Sequence, residues 1–199
     1  VTALLAFASA IDGLNRLLGR ITAWLMPLVV LIAAAVVVLR YLFNMGFPWL
    51  SESFIWLHGA IFLLAAAYVL QIEGHVRVDV FYRRYTPRRR AVVNLLGVVF
   101  LLWPAMWVLG WRSLPIAERS WRMQEASPTP NGLPFLYLMK ALIIVFCILV
   151  ALQGLALLIR SLAVLSGRPR WQHLLDRSDE GAAEAAEAPG TAGRERGDA

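Results

Sequence analysis

The sequence predicts an all-α membrane protein: four transmembrane helices, an N-terminal amphipathic helix in the membrane interface, and both termini on the cytoplasmic side. Three observations carry this. Apolar runs of about 20 residues recur four times, and such a run at 1.5 Å per residue spans about 30 Å, the thickness of a hydrocarbon core. Hydrophobic residues make up 59% of the 199 residues and the mean hydropathy is +0.63, too apolar for a soluble domain. The charges, 19 basic against 13 acidic, bracket the apolar runs. A nucleic-acid binder would line one folded face with them, so a place among lipid headgroups is favoured.

The chain divides into an interfacial helix (1–20), a four-helix membrane domain (21–165) and a cytoplasmic tail (166–199). In the first part Leu4, Phe7, Ile11, Leu14, Leu18 and then Ile21 recur at spacings of three and four. Asp12, Asn15, Arg16 and Arg20 fall largely off that stripe, as in a helix lying apolar face down with arginines among headgroups. A frayed terminus is the alternative. The first apolar run is too long for the core of a cleaved signal peptide, so none is expected. Span one, about 21–43, has Trp24 at one boundary and Arg40 with Tyr41 at the other, and Pro27 predicts a mild bend. The uncharged turn 44–48 makes spans one and two an antiparallel hairpin.

Span two, about 52–72, opens with Ser51 as an N-cap and Glu52 in the first turn, where the helix dipole favours a carboxylate. Gly59, Ala60 and the three alanines ending in Ala67, Ala66 among them, are small enough to admit another helix. The stretch 75–85 reads as a short interfacial helix or an ordered turn. Thr86-Pro87 is a cap and first-turn pair, and Arg83, Arg84, Arg88, Arg89 and Arg90 sit at headgroup depth. Span three, about 91–114, carries Pro104, which predicts a kink. Its stripe of Phe100, Trp103, Trp107 and Trp111 reads as lipid contact and belt anchoring ahead of a ligand cage. A long connection from Pro115, rich in Ser, Pro, Thr and Asn-Gly, leads to Pro134 opening span four, about 134–162. After Trp171 the tail has no apolar period and is expected to be largely disordered.

Fourteen of the basic residues fall on the side of the N-terminus, the 73–90 loop and the tail, against five on the other. That asymmetry places both termini in the cytoplasm of a multi-pass inner-membrane protein.

Several chemistries are absent. His58 and His75 are seventeen residues apart on one helix, about 25 Å by helical rise, so they cannot ligate one haem axially. No other span supplies a histidine. Cys147 is the only cysteine and lies in an apolar run, leaving no disulfide framework and no cysteine-based metal site. No cofactor is expected. No internal repeat and no mid-span carboxylate supports transport by this chain alone. No phosphate loop, activated nucleophile or paired carboxylates suggests an enzyme. His58 reads as a packed residue bonding a neighbouring helix, with a proton relay as the functional alternative. What remains is a small helical body with packing faces and no site of its own.

Certain residues resemble the small membrane subunit of the tripartite ATP-independent periplasmic (TRAP) transporters, the DctQ-like family. They are Glu52, the aromatic-rich stretch from Trp56 to Tyr68, and the exit Gly74-His75-Val76-Arg77-Val78-Asp79, which in that family reads Gly-His-Ile/Val-x-Val-Asp. Further on, Glu125-Ala126-Ser127, Gly132-Leu133-Pro134, Lys140 and Gln153-Gly154 resemble the pattern of a branch associated with 2-oxo acids, mannitol or chloroaromatic acids. Similarity covers roughly residues 10–165, and the tail lies outside it.

The resemblance implies a scaffold in sodium-coupled, binding-protein-dependent import of organic acids. The implied partners are a large elevator-type membrane subunit, in a heterodimer, and a periplasmic binding protein that docks transiently. Glu52, His58, Gly59, Ala66, Trp103 and Trp107 are interface candidates toward the large subunit. For Glu52 a dipole partner and a salt bridge to the large subunit or to outer-loop arginines both stand. Glu118, Arg119, Arg122 and Glu125 are docking candidates, with a solvated loop as the alternative. His75 and Asp79, four apart, would order the turn after span two. Arg16, Arg20 and the 83–90 arginines would grip the lipid interface, at about 1 kcal/mol each near anionic lipid. A free-standing membrane scaffold or assembly factor is the rival reading.

Overall fold

The computed structural model describes residues 2–72 and 86–166, all helix and short connections, with no strand among them. Helix α1 (Thr2–Leu42) and α2 (Pro48–Gln71) form the expected hairpin. Helix α3 (Pro87–Gly97) runs through a π-helical turn (Val98–Leu102) into α4 (Trp103–Met123), and α5 (Leu136–Leu165) follows. Four helical stretches are long and apolar enough to cross a membrane: α1, α2, α3 with α4, and α5.

Helix α5 is the axis of the bundle, packing against α1, α2, α3 and α4. Its buried positions alternate small with branched residues: Cys147, Val150, Gly154, Ala156, Ser161, Ala163 and Val164. Three apolar clusters lie along its length. Ala8 and Ile11 meet Ala156, Ala67 meets Leu149 and Val150, and Ala91 meets Val164. Without a hydrophobic force between helices in lipid, close approach over small side chains is what dispersion can use.

Several boundaries differ from expectation. Residues 2–20 are the first turns of α1, not a separate helix, because nothing in 13–26 breaks the chain and Gly19 is used for packing. A Cβ on Gly19 would stand 2.5 Å from the Tyr68 ring, so α1 and α2 cross there only because position 19 has no side chain. Of the predicted stripe, Leu4, Phe7, Leu14 and Ile21 are exposed but Ile11 is buried against α5, and Asp12 and Asn15 are buried as well. The N-cap of α2 is Phe47, with Pro48 supplying the first turn, so Ser51 is no cap and Glu52 lies past the first turn. Thr86 caps α3 ahead of Pro87 as expected, but α5 begins at Leu136, two residues beyond Pro134.

The third stretch outruns its predicted end. It passes Pro115 and continues to Met123, where Gln124 takes a left-handed cap (φ 47°) whose N–H reaches the carbonyls of Ser120 and Trp121. Proline removes one N–H and crowds one carbonyl, a defect a single exposed turn absorbs. At Pro104 the irregularity is the π-helical turn just before it, a wider helical turn that relieves the crowded carbonyl. The expectations for Gly74, His75, Asp79, Arg83, Arg84 and the tail lie outside the described residues.

Candidate functional site

The polar side chains cluster at the N-terminal end of α5 and along its C-terminal half, from Gln153 just past the midpoint to Arg160. At its N-terminal end the connection 124–135 is folded onto α2. The Glu52 carboxylate, partly buried, accepts a hydrogen bond from the Ser127 hydroxyl at 2.5 Å and from the Leu133 amide at 2.7 Å. The Ser127 amide in turn donates to the Leu133 carbonyl at 3.0 Å, closing the loop on itself. Asn131 takes a left-handed φ of 59°, and Gly132 faces the carboxylate so closely that a Cβ would lie 2.6 Å from a Glu52 oxygen. Glu125 pairs with Lys140, in the second turn of α5, at 2.5 Å. The Lys140 ammonium, with help from Ser120, holds the Glu125 carboxyl below its ordinary value of 4.5. Glu52 is therefore occupied within the chain and bonds neither an arginine nor the helix start.

In the C-terminal half of α5, Gln153 and Arg160, two turns apart, meet Asp12 and Asn15, one turn apart on α1. The Asn15 amide donates to the Gln153 side-chain carbonyl at 2.6 Å, the Gln153 amide donates to Asp12 at 3.2 Å, and Arg160 forms an ion pair with Asp12. Asn15 and Gln153 are 1% and 2% exposed. The Asn15 carbonyl oxygen has no partner among the described residues. The expected headgroup position of Asp12 and Asn15 is thus corrected. An unpaired carboxylate at that depth is costly, and Arg160 supplies its counter-charge. The sequence does carry a signal: acid and amide three apart on one helix, amide and arginine seven apart on another, each set on one helical face.

The remaining candidates face outward. His58 is exposed and makes no hydrogen bond among the described residues, and Gly59 has open space where a Cβ would be. Ala66 is half-buried against the α2–α5 cluster. Trp103 donates its indole N–H to the Ala151 carbonyl at 3.4 Å, while Trp107 and Trp111 stack with centroids 6.1 Å apart. These tryptophans border an open apolar groove of about 950 Å³ between α4 and α5, floored by Ile144, Cys147 and Ile148. Glu118 and Arg122 pair on the solvent side of α4, and Arg119 is exposed. Arg16, Arg20, Arg88 and Arg89 are exposed and Arg90 is half-buried.

No group of three metal-ligating side chains occurs among the described residues. A helical bundle held by these polar contacts, with tryptophans exposed on its apolar face, is a small multi-pass membrane component. Residues 28–164 match the family described as tripartite ATP-independent periplasmic transporters, DctQ component, and the chain belongs to that family. It is 29% identical over 119 residues to the C4-dicarboxylate TRAP transporter small permease protein DctQ of Vibrio cholerae serotype O1, a match covering 57% of this chain and 51% of that one. The chain thus spans about half the length of the curated relative it matches. No solved structure matches the chain. The protein is a component of a transporter, not an enzyme, and a multi-pass protein of the inner membrane.

Proposed function

We propose that this chain is the stationary small subunit of a sodium-coupled importer of organic acids. It braces a large elevator-type subunit and offers the 124–135 connection to a periplasmic binding protein, with both termini in the cytoplasm. The observation that supports this is the contrast between the polar ties along α5, at its N-terminal end and through its C-terminal half, and the open, tryptophan-lined groove beside it. The ties resist relative sliding of the chain's own helices. The groove, with exposed Trp107 and Trp111, and the open small face at Gly59 give a neighbouring apolar helix close contact. The ordered loop, with the exposed Glu118–Arg122 pair beside it, presents charges at fixed positions to a soluble partner.

The test is co-expression with a candidate large membrane subunit, purification in mild detergent, and uptake of labelled C4-dicarboxylate and 2-oxo acids. Wild type is expected to co-purify in one-to-one ratio, and Trp107→Ala with Trp111→Ala to lower that yield without unfolding the chain. A chain that purifies alone as a stable monomer, with uptake unaffected by its deletion, would refute the reading.

A further inference from the structure

Beneath the loop end of the bundle lies a recess of about 380 Å³ between α4 and the start of α5. Its lining divides by chemistry. Pro115, Ile116 and Met123 give an apolar rim; Arg119 and Lys140 are cationic; Glu125 is the one anion; Ser120 forms part of the wall. The formal balance is one positive charge. Lys140 spends one donor on Glu125 and keeps two, and Arg119 has no ion pair among the described residues. Ser120 is 2% exposed and its hydroxyl lacks a hydrogen-bond partner of normal geometry among the described residues. It lies near enough to Glu125 to favour the carboxylate's charge, without bonding it.

The depth of the recess matters as much as its charge. From Arg88 the helix rises about 1.5 Å per residue, so a 30 Å hydrocarbon core is crossed by the level of Trp107 and Trp111. Those rings mark the aromatic belt, and the turns from Pro115 to Arg119 stand in the headgroup layer above it. Helical side chains lean toward the N-terminus of their helix, which for Arg119 is back toward the membrane. Glu118 and Arg122 lie on the flank of α4 beside the recess and outside its lining, about 100° and 60° round from Arg119 on the side opposite Ser120. Arg122 is engaged by Glu118 and does not line the recess, so the two arginines are separable by experiment.

We propose that this recess holds the phosphodiester group of a membrane phospholipid. Arg119 and Lys140 are its cationic contacts, and Pro115, Ile116 and Met123 lie against the glycerol and first acyl carbons. A free anion uses the cations and wastes the apolar rim; a soluble protein does not reach headgroup depth. A lipid uses both. The proposal does not depend on the transport reading.

The test is native mass spectrometry of the detergent-purified full chain titrated with dioleoyl-phosphatidylglycerol. Arg119→Gln is expected to weaken binding about fivefold, the effect of one arginine near anionic lipid. Arg119→Lys should restore most of it, and Arg122→Gln should change nothing. Equal losses from Arg119→Gln and Arg122→Gln would reduce the effect to net charge and overturn the proposal. So would full displacement of the lipid by inorganic phosphate at equal concentration, which would make the recess a free-anion site. Unchanged lipid binding in Arg119→Gln, with weakened association of the periplasmic binding protein, would assign Arg119 to docking instead.

Discussion

Replacing Asp12 by asparagine tests whether the α1–α5 tie is as dry as its geometry indicates. The substitution keeps the side chain's shape and leaves an oxygen to accept from Gln153, which lies 3.2 Å away, so only the charge is removed. The side chains of Arg160 and Asp12 are 15% and 10% exposed, which takes the pair out of the class of surface ion pairs worth about 0–1 kcal/mol. Removing one partner of a buried pair costs about 3–5 kcal/mol, because the other charge is left without compensation. Arg160 has a long stem and retains some access to water, so the lower end, about 3 kcal/mol, is expected, near a hundredfold in the folding equilibrium. The assay is detergent-induced unfolding followed by tryptophan fluorescence, with Arg160→Met and the double variant completing a cycle. The double variant should be more stable than either single one, since no unpaired charge remains. A loss under about 1 kcal/mol in Asp12→Asn, or single losses that simply add, would show that water reaches the pair.

The same cluster predicts an order of effects: Gln153→Leu should destabilise more than Asn15→Leu in that assay. Gln153 serves two partners, and removing Asn15 also removes an unpaired buried oxygen. Glycine substitutions should separate internal contacts from open faces. Gly19→Ala is expected to cost about 1–3 kcal/mol, since its Cβ meets the Tyr68 ring at 2.5 Å, whereas Gly59→Ala should be neutral alone. Gly59→Leu should then reduce co-purification with the large subunit while leaving the isolated chain's stability intact. The Glu125–Lys140 tie carries a pH dependence of known sign. The folded carboxyl titrates below 4.5, so its stabilisation is present above that value and is lost as pH falls through the lower, folded one. Hydrogen exchange across residues 124–126 should accordingly be unaffected by the tie's titration from pH 8 to 5 and quicken below pH 4, and Glu125→Gln should remove Glu125's share of that change.

The four apolar stretches and the α1–α2 hairpin were legible because length and hydropathy are local properties. The helix ends were less so. Pro115 and Pro134 were weighed as punctuation, yet α4 runs more than two turns past one, since a proline forfeits one helix hydrogen bond and the rest of the ladder carries the helix on, and α5 begins past the other. The loop residues were visible as a pattern of Glu125, Ser127, Gly132 and Lys140. That Glu52 holds the loop through Ser127 and Leu133 was not, because the two segments are 75 or more residues apart. Asp12 misled for a physical reason. An acid beside two arginines on an amphipathic helix has the same local sequence whether it faces headgroups or a buried arginine 148 residues away. His58 is exposed on α2, so a bond to a neighbouring helix would be made outside the described residues of this chain.

The distribution of polar contacts bears on what a wall in a moving machine requires. Dispersion between apolar helices in lipid is weakly directional, and a helix can slide against its neighbour while losing little at any one step. Hydrogen-bonded pairs are not tolerant in that way, since a shift of one helical turn leaves donors and charges unsatisfied in hydrocarbon. Glu125–Lys140 and the Glu52-held loop fix α5 at its N-terminal end, and Asn15–Gln153 with Asp12–Arg160 fix it from just past its midpoint to its last turns, which sets its register against α1 and α2. The tie nearest the midpoint is a neutral amide pair, and the buried ion pair lies five residues from the helix end, where charge costs less. In the proposed role, α5 held at these levels can present the tryptophan groove at a constant height to a partner that moves, which a bundle of purely apolar contacts would not guarantee.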